Sequence, residues 1–557
     1  MSKISLSSEM SHSQKSEEIS CFFLFFFVAL YSVSTIELIF LKTLHQYNVI
    51  FCFFLVVLLY RHKFLHLKNI LIYPIVIASV IFISSMIYDY SWDGQTYHQT
   101  AIIKLYQGWN PFYASNSLSD LGALPVKIWL KHYPKANWIL AANFYLLTDF
   151  IETGKSVNFL FALICFGFVR SFFTHLTWLG TEENRFLKKG HYVNITSFAV
   201  VLSPVSLVQI MTFYVDSSLY YLTVGLITSL LLYSKMRDGI HLLSAVFFIL
   251  LLVNIKFTGL AYALMTVILI LAFDMLKEKK IDRVFILSTC TGIMLAVVLY
   301  GYNPYITNLL SGKHMLHPII GRESIDVMGS QIDKTFHSEN QFKKLFGSYF
   351  SKPSNSTKYP EPTFNLENFS PETYEAIGFD TRINGFGSIF PALLISCVLF
   401  FAANIKNIKN NQNIFIFMLI TLAMTLINPA LWWARIVPFF YLSPILLFLG
   451  SYGPKSKIKH FYISIVFFMI TYNCANIIIN SSRNSINYTI AVNKVMNDLR
   501  SNEINYISID RWKNFTASSL NKLDSHEVIY QLIDKKMCEK VIGHALKNVN
   551  LCDMKKS

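Results

Sequence analysis

Apolar runs about 20 residues long recur along this chain of 557 residues and constrain its fold more than any other feature. Each is long enough to cross about 30 Å of hydrocarbon, and only helices and closed barrels satisfy their backbone in lipid. The runs are continuous rather than alternating, which favours helices over barrel strands. The predicted segments are 20–41, 47–60, 69–88, 137–150, 156–174, 194–213, 215–234, 240–254, 257–275, 284–302, 386–404, 412–428, 434–451 and 459–479.

The composition agrees, because 53% of the residues are hydrophobic and only 15% are charged. The sequence therefore predicts an all-α polytopic membrane protein with about 13–14 apolar helices. The run at 137–150 is short and ends at Asp149, so we expect either a half-depth or strongly tilted helix there, or an exception to the charge rule at 185–191.

Lysine and arginine collect in short loops between the apolar runs, and the positive-inside rule places such loops in the cytoplasm. The loops are 61–68, 185–191, 235–237, 277–283, 406–410 and 455–460. This distribution accounts for the formal net charge of +15 without a nucleic-acid partner. The predicted organisation has the following parts: a cytoplasmic tail 1–19, a multi-pass membrane domain 20–479 with large outer loops 89–135 and 303–385, and a small extramembrane domain 480–557.

Two carboxylates and an imidazole follow directly on the apolar run that ends at residue 88. They are Asp89, Asp93 and His98, and Trp92 and Tyr97 lie among them. The aromatic residues are typical of an interfacial belt. The acids are costly beside a spanning helix unless they face water, a cation or a substrate. A carboxylate at this depth can act as a general base.

Further polar residues interrupt the apolar pattern on the same predicted side. Asp216 is the N-cap of the next helix, an active-site acid, or both. Lys256 is either a snorkelling lysine or a cation for phosphate. Arg435 is either an interfacial anchor or a phosphate ligand. His317 and Trp433 complete the candidate set.

Two pairs of residues outside these candidates are predicted to bond within the pair. Asp380 and Arg382 are close in an outer loop and are either a loop ion pair, which is the favoured interpretation, or site residues. Cys538 and Cys552 lie in the polar tail, and in an external tail they could form a disulfide closing a loop of about 15 residues.

Four stretches resemble the GT-C superfamily of integral membrane glycosyltransferases. They are YDYSWDGQTYHQ at 88–99, HYPKANWILAANFYLLTDFIETGKSVNFL at 132–160, YVDSSLYY at 214–221 and NPALWWARIVPFFY at 428–441. The resemblance covers most of the membrane part but not the tail. Three features depart from it: an apparent extra helix pair precedes the acidic loop, the usual pair of acids is only loosely matched because Asp89 and Asp93 compete for the base role, and the WWDYG-type signature of oligosaccharyltransferases is missing.

The resemblance implies inverting hexosyl or pentosyl transfer from a polyprenyl-phosphate sugar to a glycan or lipid acceptor. It implies Asp93 as general base, with Asp89 or Asp216 as second choices. Lys256 and Arg435 would stabilise the leaving phosphate, while His98, Tyr97, Trp92, His317 and Trp433 would bind substrate. No cofactor is certain, although a divalent metal ion is possible, and no metal ligands are assigned. The expected location is the bacterial inner membrane, with membrane lipids as partners and the active face periplasmic or extracellular.

Two other functions remain open at this stage. An O-antigen or capsule polymerase or ligase also has large outer loops and external arginines, but the acid in the first outer loop favours the GT-C interpretation. A transporter or flippase of lipid-linked sugars would place charges at mid-membrane, whereas the polar residues here concentrate at one face.

Overall fold

The computed structural model describes residues 2–60, 70–113, 124–176, 189–326, 328–356, 358–363, 370–451, 457–502, 504–509, 514–546 and 549–554. The basic loop 61–68, most of 185–191 and the first residues of 455–460 lie outside the described residues, as do parts of the loops 89–135 and 303–385 and of the tail.

Helices dominate the described residues. They are α1 (Ser2–Phe40), α2 (Asn48–Tyr60), α3 (Ile72–Ser85), α4 (Gln99–Tyr106), α5 (Leu124–His132), α6 (Ala136–Thr148), α7 (Ser156–His175), α8 (Lys189–Val201), α9 (Pro204–Gln209), α10 (Asp216–Met236), α11 (Gly239–Ile255), α12 (Phe257–Glu278), α13 (Arg283–Leu295), α14 (Thr307–Leu310), α15 (Lys334–Ser338), α16 (Gln341–Tyr349), α17 (Phe390–Ala403), α18 (Gln412–Leu426), α19 (Leu442–Ser451), α20 (Lys457–Arg500) and α21 (Thr516–Ser525).

Six helical segments of the described chain are long and apolar enough to cross a membrane: Gln14–Phe40, Ile151–His175, Asp216–Met236, Phe257–Glu278, Arg283–Tyr300 and Tyr462–Arg500. Shorter apolar helices accompany them at Asn48–Tyr60, Ile72–Ser85, Gly239–Ile255, Phe390–Ala403, Gln412–Leu426 and Pro438–Ser451. The prediction of a polytopic helical protein is confirmed at this level.

Two of the predicted apolar segments have a special form. The run 194–213 divides into α8 and α9, because Pro204 lacks a backbone N–H and takes the first-turn position of a new helix. The run 137–150 is helix α6, whose 13 residues span only about 20 Å. That length is less than a hydrocarbon core requires and agrees with the expected half-depth or tilted helix.

The centre of the helical assembly is α10, whose apolar window is 100% buried. It packs against α7, α11 and α12. Residue Asp216 is the first of this helix, so the central element of the fold delivers a carboxylate at one of its ends.

The tail begins within a long helix. Helix α20 continues past residue 479 to Arg500, and its 44 residues are about 66 Å long. A four-stranded sheet follows, with α21 inserted between its first two strands. The strands are β1 (Asn505–Ile509), β2 (Tyr530–Leu532), β3 (Cys538–Leu546) and β4 (Val549–Met554).

The sheet has the order β2-β1-β4-β3, in which β1 and β2 are parallel and the other pairs are antiparallel. Val541 of β3 faces Cys552 of β4, and the expected disulfide joins Cys552 to Cys538. The tail is therefore a small α/β unit.

This α/β unit packs against the segment that follows α3. Tyr88 Oη lies 2.7 Å from His526 Nε2, and the Trp92 ring meets the Phe515 ring edge-on at 4.8 Å. At the end of α6, Asn521 donates to the Tyr145 hydroxyl at 2.6 Å. The tail thus covers the segment that carries Asp89 and Asp93.

Candidate functional site

Arg435 holds three carboxylates from distant parts of the chain. Its Nη2 donates to Asp93 at 2.5 Å, its Nε to Asp216 at 2.7 Å and its Nη1 to Asp380 at 2.9 Å. A guanidinium has five N–H donors in a planar fork, which suits this use of three separate nitrogens. We call Asp93, Asp216, Lys256, Asp380 and Arg435 the carboxylate cluster.

Lys256 completes the cluster by donating to the second oxygen of Asp216 at 2.5 Å. Asp216 is fully buried, with a cation on each oxygen. Its side chain therefore does not cap α10, which was the structural alternative for this residue. The Lys256 ammonium likewise bonds to the Asp216 carboxylate, whereas a snorkelling lysine would extend to the membrane interface.

Four of the five members lie at or beside the ends of helices, and Asp380 lies in a turn. Asp93 precedes a π-helical turn at Gly94–His98, and Asp216 begins α10. Lys256 is the extended residue between α11 and α12, with φ −156° and ψ 149°. Arg435 lies in the turn between α18 and α19. At a helix end, backbone and side-chain groups are not part of the packed, lipid-facing surface. Charged side chains can therefore lie close together there.

The three carboxylates differ in their access to solvent. The Asp216 side chain is 0% exposed, whereas those of Asp93 and Asp380 are 21% and 34% exposed. Burial raises the pKa of Asp380, and the guanidinium of Arg435 opposes that rise. Solvent therefore reaches Asp93 and Asp380, while the buried Asp216 bonds to both cations.

The guanidinium is stabilised in its charged form. Burial opposes the charge of Arg435, but Asp380, Asp93 and Asp216 together hold its pKa well above the usual range. The ring of Tyr214 lies 4.2 Å from the guanidinium carbon and adds a cation–π contact.

Asp89 lies apart from the cluster and is fully buried. It accepts hydrogen bonds from Ser91 N at 2.8 Å, Ser91 Oγ at 3.0 Å and Phe213 N at 3.0 Å. Burial and then the charge of Glu152 raise the pKa of Asp89 to about 6. A Cβ atom on Gly94 would lie 1.9 Å from Asp89 Oδ2, so only glycine fits there. Asp89 thus anchors the turn that carries Asp93.

A buried ion pair supports this anchor and was not predicted. Glu152 and Lys155 are 2.7 Å apart with both side chains 0% exposed. Glu152 accepts from the Asp89 backbone N–H at 3.1 Å, and Lys155 donates to the Ile87 carbonyl. The available sequence signal was the IETGK stretch at 151–155, where opposite charges interrupt two apolar runs.

His98 contributes a free donor. Its Nδ1 accepts from the Trp138 indole at 2.7 Å, which places the ring proton of the neutral imidazole on Nε2. Burial lowers the pKa of His98 to about 3, so the ring is neutral. Its buried Nε2 has no hydrogen-bond partner among the described residues.

Aromatic rings surround His98. Tyr97 lies 4.2 Å from it, and Tyr97 also stacks with Trp129 at 5.9 Å. Tyr133 lies 5.5 Å from Trp138 in a stacked arrangement. Trp129, Tyr133 and Trp138 were not singled out from the sequence, although HYPKANW at 132–138 is unusually aromatic for a segment before a helix.

Trp433 presents a second buried donor without a partner in the described part of the chain. The side chain is buried, stacks on Trp432 at 5.3 Å and leaves its Nε1 free of hydrogen bonds. It precedes Arg435 by two residues.

Two predicted substrate ligands lie elsewhere. Trp92 is 58% exposed against Phe515, at the contact with the tail. His317 packs edge-on against His132 at 4.6 Å, and its Nε2 is 3.1 Å from Lys313 Nζ. Within the described ranges, His317 has no hydrogen bond or ring contact with the carboxylate cluster.

The predicted loop ion pair between Asp380 and Arg382 is replaced by a different one. The Asp380 carboxylate bonds to Arg435, and the Arg382 Nε is buried without a partner among the described residues. Asp380 therefore belongs to the carboxylate cluster, which corresponds to the less favoured interpretation of this residue from the sequence.

No group of three histidine, cysteine or acidic side chains in the described ranges is arranged to hold a metal ion. The three aspartates of the cluster converge on a guanidinium, which occupies the position between them that a cation would need. The donor set thus fits Arg435 rather than a divalent metal ion.

Comparison with known proteins adds no relative. No family model matches the chain, and neither a curated protein nor a solved structure shows similarity to it.

Proposed function

We propose that the protein is a membrane glycosyltransferase. It would transfer a sugar from a polyprenyl-phosphate donor to a cell-envelope glycan or lipid acceptor on the outer face of the bacterial inner membrane. The observation that supports this most is the carboxylate cluster, in which the accessible Asp93 lies against Arg435 at the ends of apolar helices. Sugar transfer from a phosphate-linked donor needs a base and cations for the leaving phosphate.

Asp93 is the group proposed as base. The acceptor hydroxyl gives its proton to the Asp93 carboxylate as the acceptor oxygen forms a bond to the anomeric carbon. The bond from that carbon to the phosphate oxygen breaks, and polyprenyl phosphate leaves with the electron pair. Attack opposite the leaving group inverts the anomeric centre, and the proton then passes from Asp93 to water.

Arg435 and Lys256 are the groups proposed to stabilise the leaving phosphate. The cluster holds three carboxylates against two cations, so a further anion is unfavourable while all three acids remain charged and bonded. We expect the donor phosphate to replace Asp93 at Nη2 of Arg435. The same event frees Asp93 for the acceptor, while the buried Asp216 keeps both cations in place.

The aromatic surroundings suit a sugar. The free Nε2–H of His98 can donate to a sugar oxygen, and the faces of Tyr97 and Trp129 offer apolar surface for a pyranose ring. These are groups that a phosphate alone would not need.

The test is the surface glycan of the native host carrying Asp93→Asn in place of the wild-type gene, with the amount of protein in the membrane checked. Asp498→Asn is the matched control, because Asp498 is an exposed carboxylate near the end of α20. We expect loss of one sugar residue with chain length kept in Asp93→Asn and an unchanged glycan in the control.

Two other results would change the assignment. Collapse of the glycan to a single repeat unit would indicate a polymerase in place of a single-sugar transferase. An intact glycan in cells with normal amounts of the Asp93→Asn protein would remove Asp93 as the base and the proposal with it.

A further inference from the structure

Helix α16 exposes its apolar side and buries its polar side. Phe342 and Phe346 lie one turn apart and are 78% and 57% exposed. Lys344 and Ser348 lie on the opposite side of the same helix and are buried. A surface helix in water ordinarily has the reverse arrangement, with its apolar residues toward the core. The exposed side of α16 is therefore suited to an apolar phase rather than to water.

The apolar side extends to the residue that follows α16. The Phe346 ring stacks on the Phe350 ring, with the centroids 4.1 Å apart and the planes 3° from parallel. Residues four apart on a helix lie on the same face, so Phe342, Phe346 and Phe350 form one line of rings about 12 Å long. We call these three residues the phenylalanine row.

Hydrogen bonds hold α16 against the turn between α18 and α19. The Gln341 amide, at the start of α16, donates to the Pro429 carbonyl at 3.2 Å. The Ser348 hydroxyl, near the end of α16, donates to the Trp432 carbonyl at 2.6 Å. Because the two bonds come from opposite ends of α16, the helix lies across the end of α18 instead of extending away from it.

The phenylalanine row adjoins the exposed apolar surface of α18. Leu426 ends this apolar helix and is 49% exposed, and Ile427 after it is 60% exposed. Ile427 precedes Pro429, the acceptor of the Gln341 bond, by two residues. The apolar side chains that an apolar helix exposes at its end face the lipid of a membrane. The row thus lies beside a surface that lipid covers, at the level where the helix leaves the bilayer.

We propose that α16 is an interfacial helix whose phenylalanine row is covered by acyl chains of the leaflet on the side of the carboxylate cluster. Helices of this kind lie in the membrane plane, with their apolar side about 5–10 Å into the boundary between headgroups and chains. Anionic headgroups are not required for this insertion, because Lys343 beside the row is paired with Glu339 at 3.1 Å.

An interfacial α16 also sets the depth of the carboxylate cluster. Ser348 bonds to the carbonyl of Trp432, which precedes Arg435 by three residues. The segment that carries the guanidinium is thereby held to a helix at headgroup depth. The inference does not depend on the proposed sugar transfer, because it uses only the exposure and the packing of α16.

The experiment uses the purified full-length protein in phosphatidylcholine nanodiscs. The photoreactive residue p-benzoylphenylalanine, which reacts with nearby C–H bonds on irradiation, replaces Phe342 in one variant and Phe346 in another. The same replacement of Leu426 is the positive control on α18. The replacement of Leu532 on β2 is the negative control, and it is matched because Leu426 and Leu532 are both 49% exposed. Mass spectrometry of the digested protein identifies what each residue has reacted with.

We expect lipid adducts at Phe342 and Phe346 in yields similar to that at Leu426. Insertion of a phenylalanine ring among acyl chains is favoured over water by roughly tenfold or more, so the yields should exceed that at Leu532 by about the same factor. Phe342 decides the question if the variant at Phe346, whose ring stacks on Phe350, does not fold.

Three results would overturn the proposal. Crosslinks from Phe342 to another segment of the same chain would show that the protein itself covers the row. Crosslinks to a second copy of the chain would show that the row is an interface between protomers. Reaction with lipid at Leu426 but not at Phe342 would show that the row faces water.

Discussion

Arg435 donates a 2.5 Å hydrogen bond to Asp93 although 342 residues separate the two in the chain. The same guanidinium also bonds to Asp216 and Asp380, so one side chain joins the segment after α3, the start of α10 and the segment before α17. This bridging makes Arg435 as much a structural element as a candidate ligand for phosphate. Substitution of Arg435 should therefore lower the free energy of unfolding as well as the rate of the proposed sugar transfer.

Arg435→Gln should lower the free energy of unfolding in detergent micelles by about 3–5 kcal/mol, the usual cost of leaving a buried charge without its partner. Arg435→Lys should lose less stability than Arg435→Gln, because the positive charge remains. It should still be less stable than wild type, because an ammonium group cannot reproduce the planar hydrogen-bonding geometry of the guanidinium. Arg500→Gln is the control. Arg500 pairs with Glu527 at an exposed position, so we expect a change below about 1 kcal/mol.

The pairing itself is tested by a double-mutant cycle of Arg435→Gln with Asp216→Asn. The double variant should lose less unfolding free energy than the sum of the losses in the two single variants. In Arg435→Gln the fully buried Asp216 carboxylate keeps only Lys256 as a partner, and Asp216→Asn removes that unbalanced charge. Strictly additive costs would mean that the two side chains do not interact in the folded protein.

The helical part of this fold was predictable because apolar periodicity and length are local properties. Each predicted apolar segment is helical over most of its length, and the one divided segment contains Pro204. The extent of α20 was not predictable from hydropathy, because residues 480–500 are polar and their helix depends on packing against the tail. The sheet pairing in the tail depends on contacts between distant strands, which no local pattern encodes.

The members of the carboxylate cluster were predictable one at a time and not as a cluster. Asp93, Asp216, Lys256 and Arg435 each interrupt the apolar pattern at the same predicted side of the membrane. Their pairing depends on which helix ends meet, and that is decided by packing across the bundle. Asp380 could not be distinguished from an ordinary loop acid, because its neighbour Arg382 offered a nearer partner in sequence.

Asp89 should make the stability of the protein depend on pH. The pKa of Asp89 is raised from 3.8 to about 6 by burial and by Glu152, so the folded state binds its proton more tightly than the unfolded state. The resulting stabilisation is complete below the unfolded pKa and is lost as pH rises through about 6. Over that range the contribution falls by up to about 3 kcal/mol.

The measurement compares unfolding free energies of wild type and Asp89→Asn at pH 4 and pH 7. The amide does not titrate, so the advantage of wild type over the variant should be larger at pH 4 than at pH 7. Asp498→Asn is the control at an exposed carboxylate. A wild-type advantage that grows with pH would contradict the assignment of Asp89 as a buried acid.

His98 should act in sugar transfer as a neutral hydrogen-bond donor. Its pKa is lowered to about 3 by burial, so protonation requires a pH well below the working range. His98→Ala should reduce the transfer rate by roughly tenfold, the loss of about one hydrogen bond to substrate. His98→Gln retains a hydrogen-bond donor, so its transfer rate should fall less than that of His98→Ala.

The pH profile distinguishes this role from acid–base catalysis. The ratio of wild-type to His98→Ala transfer rates in isolated membranes should stay constant between pH 5.5 and pH 7.5, within about twofold. A ratio that changes severalfold around the ordinary histidine pKa would show that the imidazole is protonated during transfer.

The Cys538–Cys552 disulfide should stabilise the tail and report its side of the membrane. It links β3 to β4 across a sequence separation of 14, and the chain-entropy model gives about 3 kcal/mol for a loop of this size. Cys538→Ser/Cys552→Ser should lower the unfolding free energy of the tail by that amount. Cys290→Ser, at an exposed free cysteine, is the control.

The direct measurement is the mass of the unfolded protein after alkylation without reductant. Protein taken from the native host should carry no label on Cys538 or Cys552, and both should become labelled after reduction. Such bonds persist in oxidising compartments, so this result would place the tail outside the cytoplasm. Because the tail packs on the segment that carries Asp89 and Asp93, it would place that segment on the same side. Two freely labelled thiols in the unreduced sample would remove the disulfide and this support for an external site.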